Sequence, residues 1–426
     1  MKYRFIILSI IINIGFSPVV TQLNLTNTVS VVSTYFPTDE WRKTSLEEVG
    51  INSLKLAAME EAIDSSDYGV DSLHIIRNGF LVYEKYYEYY NYSSIHQMSC
   101  TTKGITSILI GIANASGYIT NLDEPILNIF SDRTFNNTDE RKEAITIRHL
   151  LKSQCGIQWN EMDVPFFAQT IDTHNYTLFI NTSDVFWENW PFNPDFNPRQ
   201  MMQSPDWIQF VLDRPMVQKP GIGFYYHSGA SHLLSAIIKY KTGLNTEVFA
   251  KQKLFNPLGI TEYLWFNDSM DLTNGFGGLW LTPFDMTKIG YLFLNNGTWN
   301  GNQLVPVEWV QESTHQFLID QQYGYGFQWW SAPPLNLFFA TGGGGQYIII
   351  KPDVNLVVAI TASKYIEDHF YVFREVFKSY ILDSLESEIS TTIEETNPPK
   401  SSNLPTLFVF LSLGLITLIH QRKRKM

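Results

Sequence analysis

Cysteine is scarce: 426 residues hold only Cys100 and Cys155. Two cysteines cannot build a disulfide scaffold, so a hydrophobic core must hold the fold, and 44% hydrophobic residues suffice for one. Basic residues are also few. Lys and Arg number 30 against 42 Asp and Glu, a net charge of −12, which argues against a nucleic-acid partner. The nine histidines show no H-x-x-x-H or H-x-H spacing, so neither a metal site nor a cofactor is expected. No internal repeat is evident. The glycine run Gly342 to Gly345 lacks the Gly-Lys-Ser/Thr of a phosphate loop and leads into a strand pattern, not a helix.

Uncharged apolar runs frame the chain. Lys2 and Arg4 precede Phe5 to Phe16, which reads as a secretory signal peptide over residues 1–21, with an uncleaved anchor as the alternative. Leu404 to Ile419 is apolar and is followed by Arg422-Lys423-Arg424-Lys425. Residues 404–420 are therefore expected to form one transmembrane helix, with residues 421–426 as a basic cytoplasmic tail. Residues 386–403 are rich in Ser, Thr, Glu and Pro and read as a solvated stalk. Sequons start at Asn24, Asn91, Asn114, Asn136, Asn175, Asn181, Asn267 and Asn296. Behind a signal-like start, they predict an outward-facing glycoprotein held at the cell membrane, with Asn114 unmodified because it lies on an apolar helix.

Within residues 22–385 the pattern is strand, helix, strand. Leu73 to Tyr87 predicts a hairpin about Asn78-Gly79, with its aromatic second strand inside a sheet. Residues 118–298 read as helices with long loops, among them Ile145 to Leu151, Asp206 to Leu212 and Ser231 to Lys241. Phe186 to Pro198 reads as an irregular aromatic loop. Tyr325 to Trp330, Gln346 to Lys351 and Leu356 to Ala362 read as strands, and Asp368 to Leu385 as a closing helix. This implies an α/β (α+β) domain: a mixed, mainly antiparallel sheet from about 36–117 and 299–385, with an inserted helical part at about 118–298.

The centre of the chain is Met98 to Lys103 and the apolar helix that follows. Cys100 and Lys103 are three residues apart and share one helix face. The free N–H groups at a helix start favour a negative charge. A thiol there, with an amine to take its proton, has the spacing of an S-x-x-K acyl-transfer site with cysteine in place of serine. Alone, this pair is a weak signal. Tyr226-x-Ser228, just before the Ser231 helix, and the glycine run ending in Gly345-Gln346-Tyr347 strengthen it.

Together these stretches resemble the serine β-lactamase and penicillin-binding-protein superfamily, from about Trp41 to Leu385. The closest likeness is to its class C-related branch of esterases, D-aminopeptidases and 6-aminohexanoate-dimer hydrolases. Ile147-Arg148-His149-Leu150-Leu151, Phe255-Asn256-Pro257-Leu258-Gly259 and Tyr323-Gly324-Tyr325-Gly326 fall in the matching order. The resemblance implies Cys100 as nucleophile, Lys103 as its activator, Tyr226 as proton carrier and Ser228 as that motif's third position. It implies an oxyanion hole from the backbone N–H groups of Cys100 and Gly343, and a substrate edge at Thr341, Gly342 and Gln346. Ala340 stands where a lysine or histidine often helps hold a substrate carboxylate, which argues against β-lactam and D-Ala-D-Ala substrates.

The expected activity is hydrolysis of an amide or ester bond in a small or peptide-like substrate, through an acyl group on Cys100. The alternative is a catalytically inactive surface protein that binds peptide or cell-wall-like ligands. A Cys100–Cys155 bridge would silence the thiol. His227 reads as a turn or rim residue rather than a base, and His149 and His232 as structural.

Overall fold

Asn78 and Gly79 both take positive φ, 52° and 79°, the conformation a two-residue hairpin turn requires. They join β1 (Val70–Arg77) to β2 (Phe80–Tyr86). This is a computed structural model, and it describes residues 35–37, 40–66, 68–161, 196–315, 317–319, 322–364 and 370–385. The remaining strands of the main sheet are β3 (Phe317–Leu318), β4 (Gly324–Tyr325), β5 (Trp330–Ala332), β6 (Leu337–Gly342), β7 (Gln346–Lys351) and β8 (Leu356–Ala362). Their order is β2-β1-β8-β7-β6-β5-β4-β3. Every neighbouring pair is antiparallel, so the sheet is not mixed.

β2 forms an edge of this sheet rather than its interior, and its residues are mostly half-buried. Its tyrosines explain the tolerance. Tyr83 donates to Glu60 at 2.7 Å and Tyr86 to Glu84 at 2.9 Å, so each ring packs while its hydroxyl stays in a polar environment.

The central strands are apolar on both faces. Ile76, Ile348, Ile350, Val357 and Ala359 point to one core, and Ile75, Ile349, Val358 and Ile360 to a second. This follows from the alternation of side chains along a strand. The second core lies under α1 (Ser53–Ser65) and the closing helix Phe373–Leu382. The first lies under α2 (Thr102–Ala115), α3 (Ser228–Thr242) and α4 (Pro283–Leu294). α2 is buried on all sides from Thr102 to Ala113, its polar residues Lys103, Thr106 and Ser107 included; Thr106 donates to the Gly275 carbonyl at 2.8 Å. α3 begins three residues before the apolar run and stops at Gly243, where φ is 74°.

Elsewhere local signals were weaker. Tyr325 to Trp330 is not one strand: Gln328, at φ 65°, turns the chain between β4 and β5. The expected aromatic loop Phe186 to Pro198 lies outside the described residues except for its end, where Asn197–Gln203 forms a helix with proline in its first turn. A three-stranded sheet of His96–Gln97, Leu279–Leu281 and Tyr263–Trp265 also lies within and beside the expected helical part.

Among the described residues, no helix is long and apolar enough to cross a membrane. The expected signal, stalk, transmembrane helix and basic tail lie outside them, as do the sequons at Asn24, Asn175 and Asn181. Asn91, Asn136, Asn267 and Asn296 are exposed. Asn114 is half-buried and donates to the Ile119 carbonyl at 2.7 Å.

Candidate active site

The residues that bring the site together come from three elements. A 3₁₀ turn, Ser99–Thr101, leads straight into α2 and carries Cys100. Ser99 just before it has a left-handed φ of 46°, a conformation a non-glycine residue keeps only when its surroundings hold it. The end of β6 supplies that restraint. A Cβ at Gly342 would lie 2.4 Å from the Met98 carbonyl oxygen and 3.0 Å from the Cys100 backbone nitrogen. Only glycine lets the strand approach this closely. Thr101 ties the turn to β7 by donating its hydroxyl to the Gln346 carbonyl at 3.5 Å.

Cys100 is half-buried and Cys155 fully buried, and both are free, so no bridge joins them. Burial pushes the Cys155 thiol up to about 11, leaving it un-ionised at neutral pH.

Lys103 lies one turn along α2 and is 1% exposed. Its Nζ donates to Ser228 Oγ at 2.9 Å and lies 4.5 Å over the Tyr226 ring. Ser228 is the first residue of α3 and is 1% exposed, while Tyr226, two residues earlier, is half-buried. Burial raises the Tyr226 phenol well above its ordinary value. The Cys100 side chain adds to this by charge and by a hydrogen bond, and Tyr325 and Glu161 contribute charge. The phenol is therefore a donor at neutral pH, not a phenolate base. Cys100, Lys103, Tyr226 and Ser228 thus meet across about 125 residues of chain.

Of the expected substrate edge, Gly342 sits against the turn that carries Cys100, and Thr341 is half-buried on the same strand. Gln346 is buried: its amide donates to the Ala362 carbonyl, and its Oε1 finds no hydrogen-bond partner. That side chain braces β7 against β8 rather than lining an open edge. Gly343 is half-buried in the turn after Gly342.

His227 is a buried cap and not a rim residue. Its Nδ1 accepts from the Ala230 N–H at 2.9 Å at the start of α3, and its ring stacks on Trp159 at 4.2 Å. Burial, with Arg214 and Lys103, holds it well below its ordinary value, so it is uncharged. His149 caps a short helix from Thr146, and His232 pairs with Asp268 at 3.2 Å.

Glu161 was not marked by any motif, and Tyr325 lay in the Tyr323-Gly324-Tyr325-Gly326 stretch without being given a role in the site. Glu161 is buried, and one carboxylate oxygen accepts the Ser228 N–H and the Trp159 indole N–H, each at 2.7 Å. The other accepts the Ser228 hydroxyl and lies 3.9 Å from Lys103 Nζ. Tyr325 is fully buried; burial raises its phenol strongly, and the Cys100 and Glu161 side chains add to this by charge. A Trp-x-Glu in an irregular loop has no periodicity to mark it. The only hint was a carboxylate flanked by an aromatic two residues away.

The profile of the Beta-lactamase family matches residues 57–378. No curated protein matches the sequence. A solved structure described as a 6-aminohexanoate-dimer hydrolase from Bacillus anthracis superposes with a TM-score of 0.61 at 20% identity, covering 81% of this chain and 87% of that one. The octameric penicillin-binding protein homologue from Pyrococcus abyssi gives 0.58 at 19% identity, over 78% of this chain and 79% of that one. A D-stereospecific amidohydrolase from Streptomyces sp. gives 0.56 at 15% identity, over 78% and 99%. At such identities the likeness speaks for the fold, while the profile spans most of the sequence. The chain belongs to the Beta-lactamase family.

Proposed function

We propose that this protein is a hydrolase that cleaves an amide or ester bond through an acyl group carried on Cys100. The observation that carries the reading is one juxtaposition: an unbridged, half-buried sulfur in contact with the Tyr226 phenol, beside a lysine tied to Ser228 at 2.9 Å. A thiol ionises at about 8.5 when free, and a helix start beside a cation makes ionisation easier. The sulfur bonds to the carbonyl carbon and the scissile C–N or C–O bond breaks. The leaving group takes the proton that the thiol gave up, relayed by Tyr226. Water then attacks the thioester, releasing the acid and returning a proton to sulfur through the same phenol. The backbone N–H groups of Cys100 and Gly343 serve as the oxyanion donors, each worth about 3–4 kcal/mol in comparable sites. The hydrolase names of two of the three similar structures agree with this chemistry.

Mass spectrometry after incubation with an activated ester tests the reading. The expected result is an acyl adduct on the Cys100 peptide that decays with time and is absent from Cys100→Ala. A wild-type protein that forms no adduct while a small alkylating agent also fails to reach Cys100 would sink it.

We further propose that the body faces outward as a glycoprotein, anchored by the apolar stretch 404–420. A chain ended at Leu385 should leave the membrane pellet for the supernatant. If it still pellets, that stretch is not the anchor.

A further inference from the structure

We propose that Glu161 is the positioning residue of this site: its carboxylate fixes the direction and charge balance of Lys103 through Ser228, and so controls the reactivity of the Cys100 sulfur. The inference rests on the Cys100 reading above and extends it to a residue outside the motifs.

The first argument is the direction of the hydrogen bonds. A hydroxyl has one proton to give, and Ser228 gives its proton to Glu161. Its oxygen can then only accept from Lys103, which it does at 2.9 Å. The order Lys103 to Ser228 to Glu161 is thereby fixed, and so is the side of the amine turned away from Ser228. Without the carboxylate, the hydroxyl proton loses its acceptor, and nothing then holds the Ser228 lone pair in one direction toward Lys103. The seat of Glu161 is itself well built. Its second oxygen is held by the Ser228 N–H and the Trp159 indole, and Trp159 stacks on the His227 that caps the same helix.

The second argument is charge. The side chains of Lys103 and Glu161 are 2% and 7% exposed, so water screens neither. Cys100, Tyr325 and Glu161 all act by charge on the Tyr226 phenol, and Lys103 lies 4.5 Å over its ring, so these groups share one electrostatic field. His227 contributes no charge. Glu161 is therefore the anion that offsets the lysine's field, and the sulfur feels only the remainder.

The test is the rate of Cys100 alkylation by iodoacetamide across pH 5 to 10, on the full chain, with the buried Cys155 as a slow internal reference. In Glu161→Gln the uncompensated lysine should move the midpoint of the curve down by about one pH unit. Turnover of an activated ester should meanwhile fall about tenfold, because Lys103 is no longer held in place over the Tyr226 ring that relays the proton. A residue with a merely structural role would not make the thiol more reactive and the enzyme slower at once. Glu161→Asp keeps the charge but withdraws it, so its midpoint should move the same way by less than half as much. This variant carries the test if Glu161→Gln does not fold. A reactive Cys100 whose curve is unmoved in both variants overturns the role of Glu161 alone. A Cys100 inert at every pH in the wild type overturns the nucleophile reading, and this inference with it.

Discussion

Lys103→Met should destabilise the fold by about 3 kcal/mol at neutral pH, measured as a lowered urea midpoint with an unchanged slope. Lys103 is 1% exposed, and methionine matches its length, so packing alone predicts a small effect. The cost comes from what remains. Glu161 would stay buried, with its carboxylate still accepting from Trp159 and twice from Ser228 but with its cation gone. Removing one partner of a buried pair typically costs about 3–5 kcal/mol, and three surviving donors place this site at the low end. Adding Glu161→Gln should recover about half of the loss. The amide oxygen can take both the Ser228 N–H and the Trp159 indole, as one carboxylate oxygen did, while the NH₂ donates to the Ser228 hydroxyl only after that hydroxyl gives up its own proton's acceptor, so recovery is incomplete. A single variant as stable at pH 8 as the wild type would mean that the carboxylate reaches water, against its burial.

How much of this was legible in the sequence depends on the range of each signal. Gln346–Lys351 and Leu356–Ala362 were readable residue by residue, because apolar runs bounded by turn residues report a strand buried on both faces. The hairpin at Asn78-Gly79 was legible for the same local reason. Its position at the sheet edge was not, because pairing order depends on β8, almost 280 residues away. Leu337–Gly342 was missed as a strand: its Ala-Thr-Gly end reads as loop, yet that glycine is what lets it approach Cys100. Cys100, Lys103, Tyr226 and Ser228 stood out in the sequence through short motifs, and the structure draws Lys103, Tyr226 and Ser228 together. Glu161 did not stand out, because it acts by reaching across to Ser228, and nothing near it in the chain foreshadows that contact.

Cys100→Ser should lower turnover of an activated ester by about 10²–10⁴-fold, the usual contribution of a general base. A hydroxyl does not ionise near neutral pH, so a serine at this position needs a group to take its proton during attack. Lys103 is the residue the helix offers, but it donates to Ser228 at 2.9 Å and sits 3.9 Å from a Glu161 oxygen, so it is already engaged on that side. Tyr226 does not replace it, since burial and the Cys100 side chain hold its phenol protonated well past neutral pH. A thiol needs less help, because it releases its own proton within reach of neutral pH. The serine variant should therefore gain activity toward alkaline pH, while the wild type levels off once its thiol is ionised. No loss from Tyr226 ionisation should appear below pH 10 in either protein. Stopped-flow measurement of acyl release from both proteins across pH 6 to 10 reads this directly. If serine equals or exceeds cysteine at neutral pH, Lys103 can shed its proton despite Glu161, and the sulfur is a tolerated substitution in a site built for a hydroxyl. If serine fails as expected, the cysteine and the carboxylate belong to one design, in which the nucleophile ionises by itself because the lysine is kept from acting as its base.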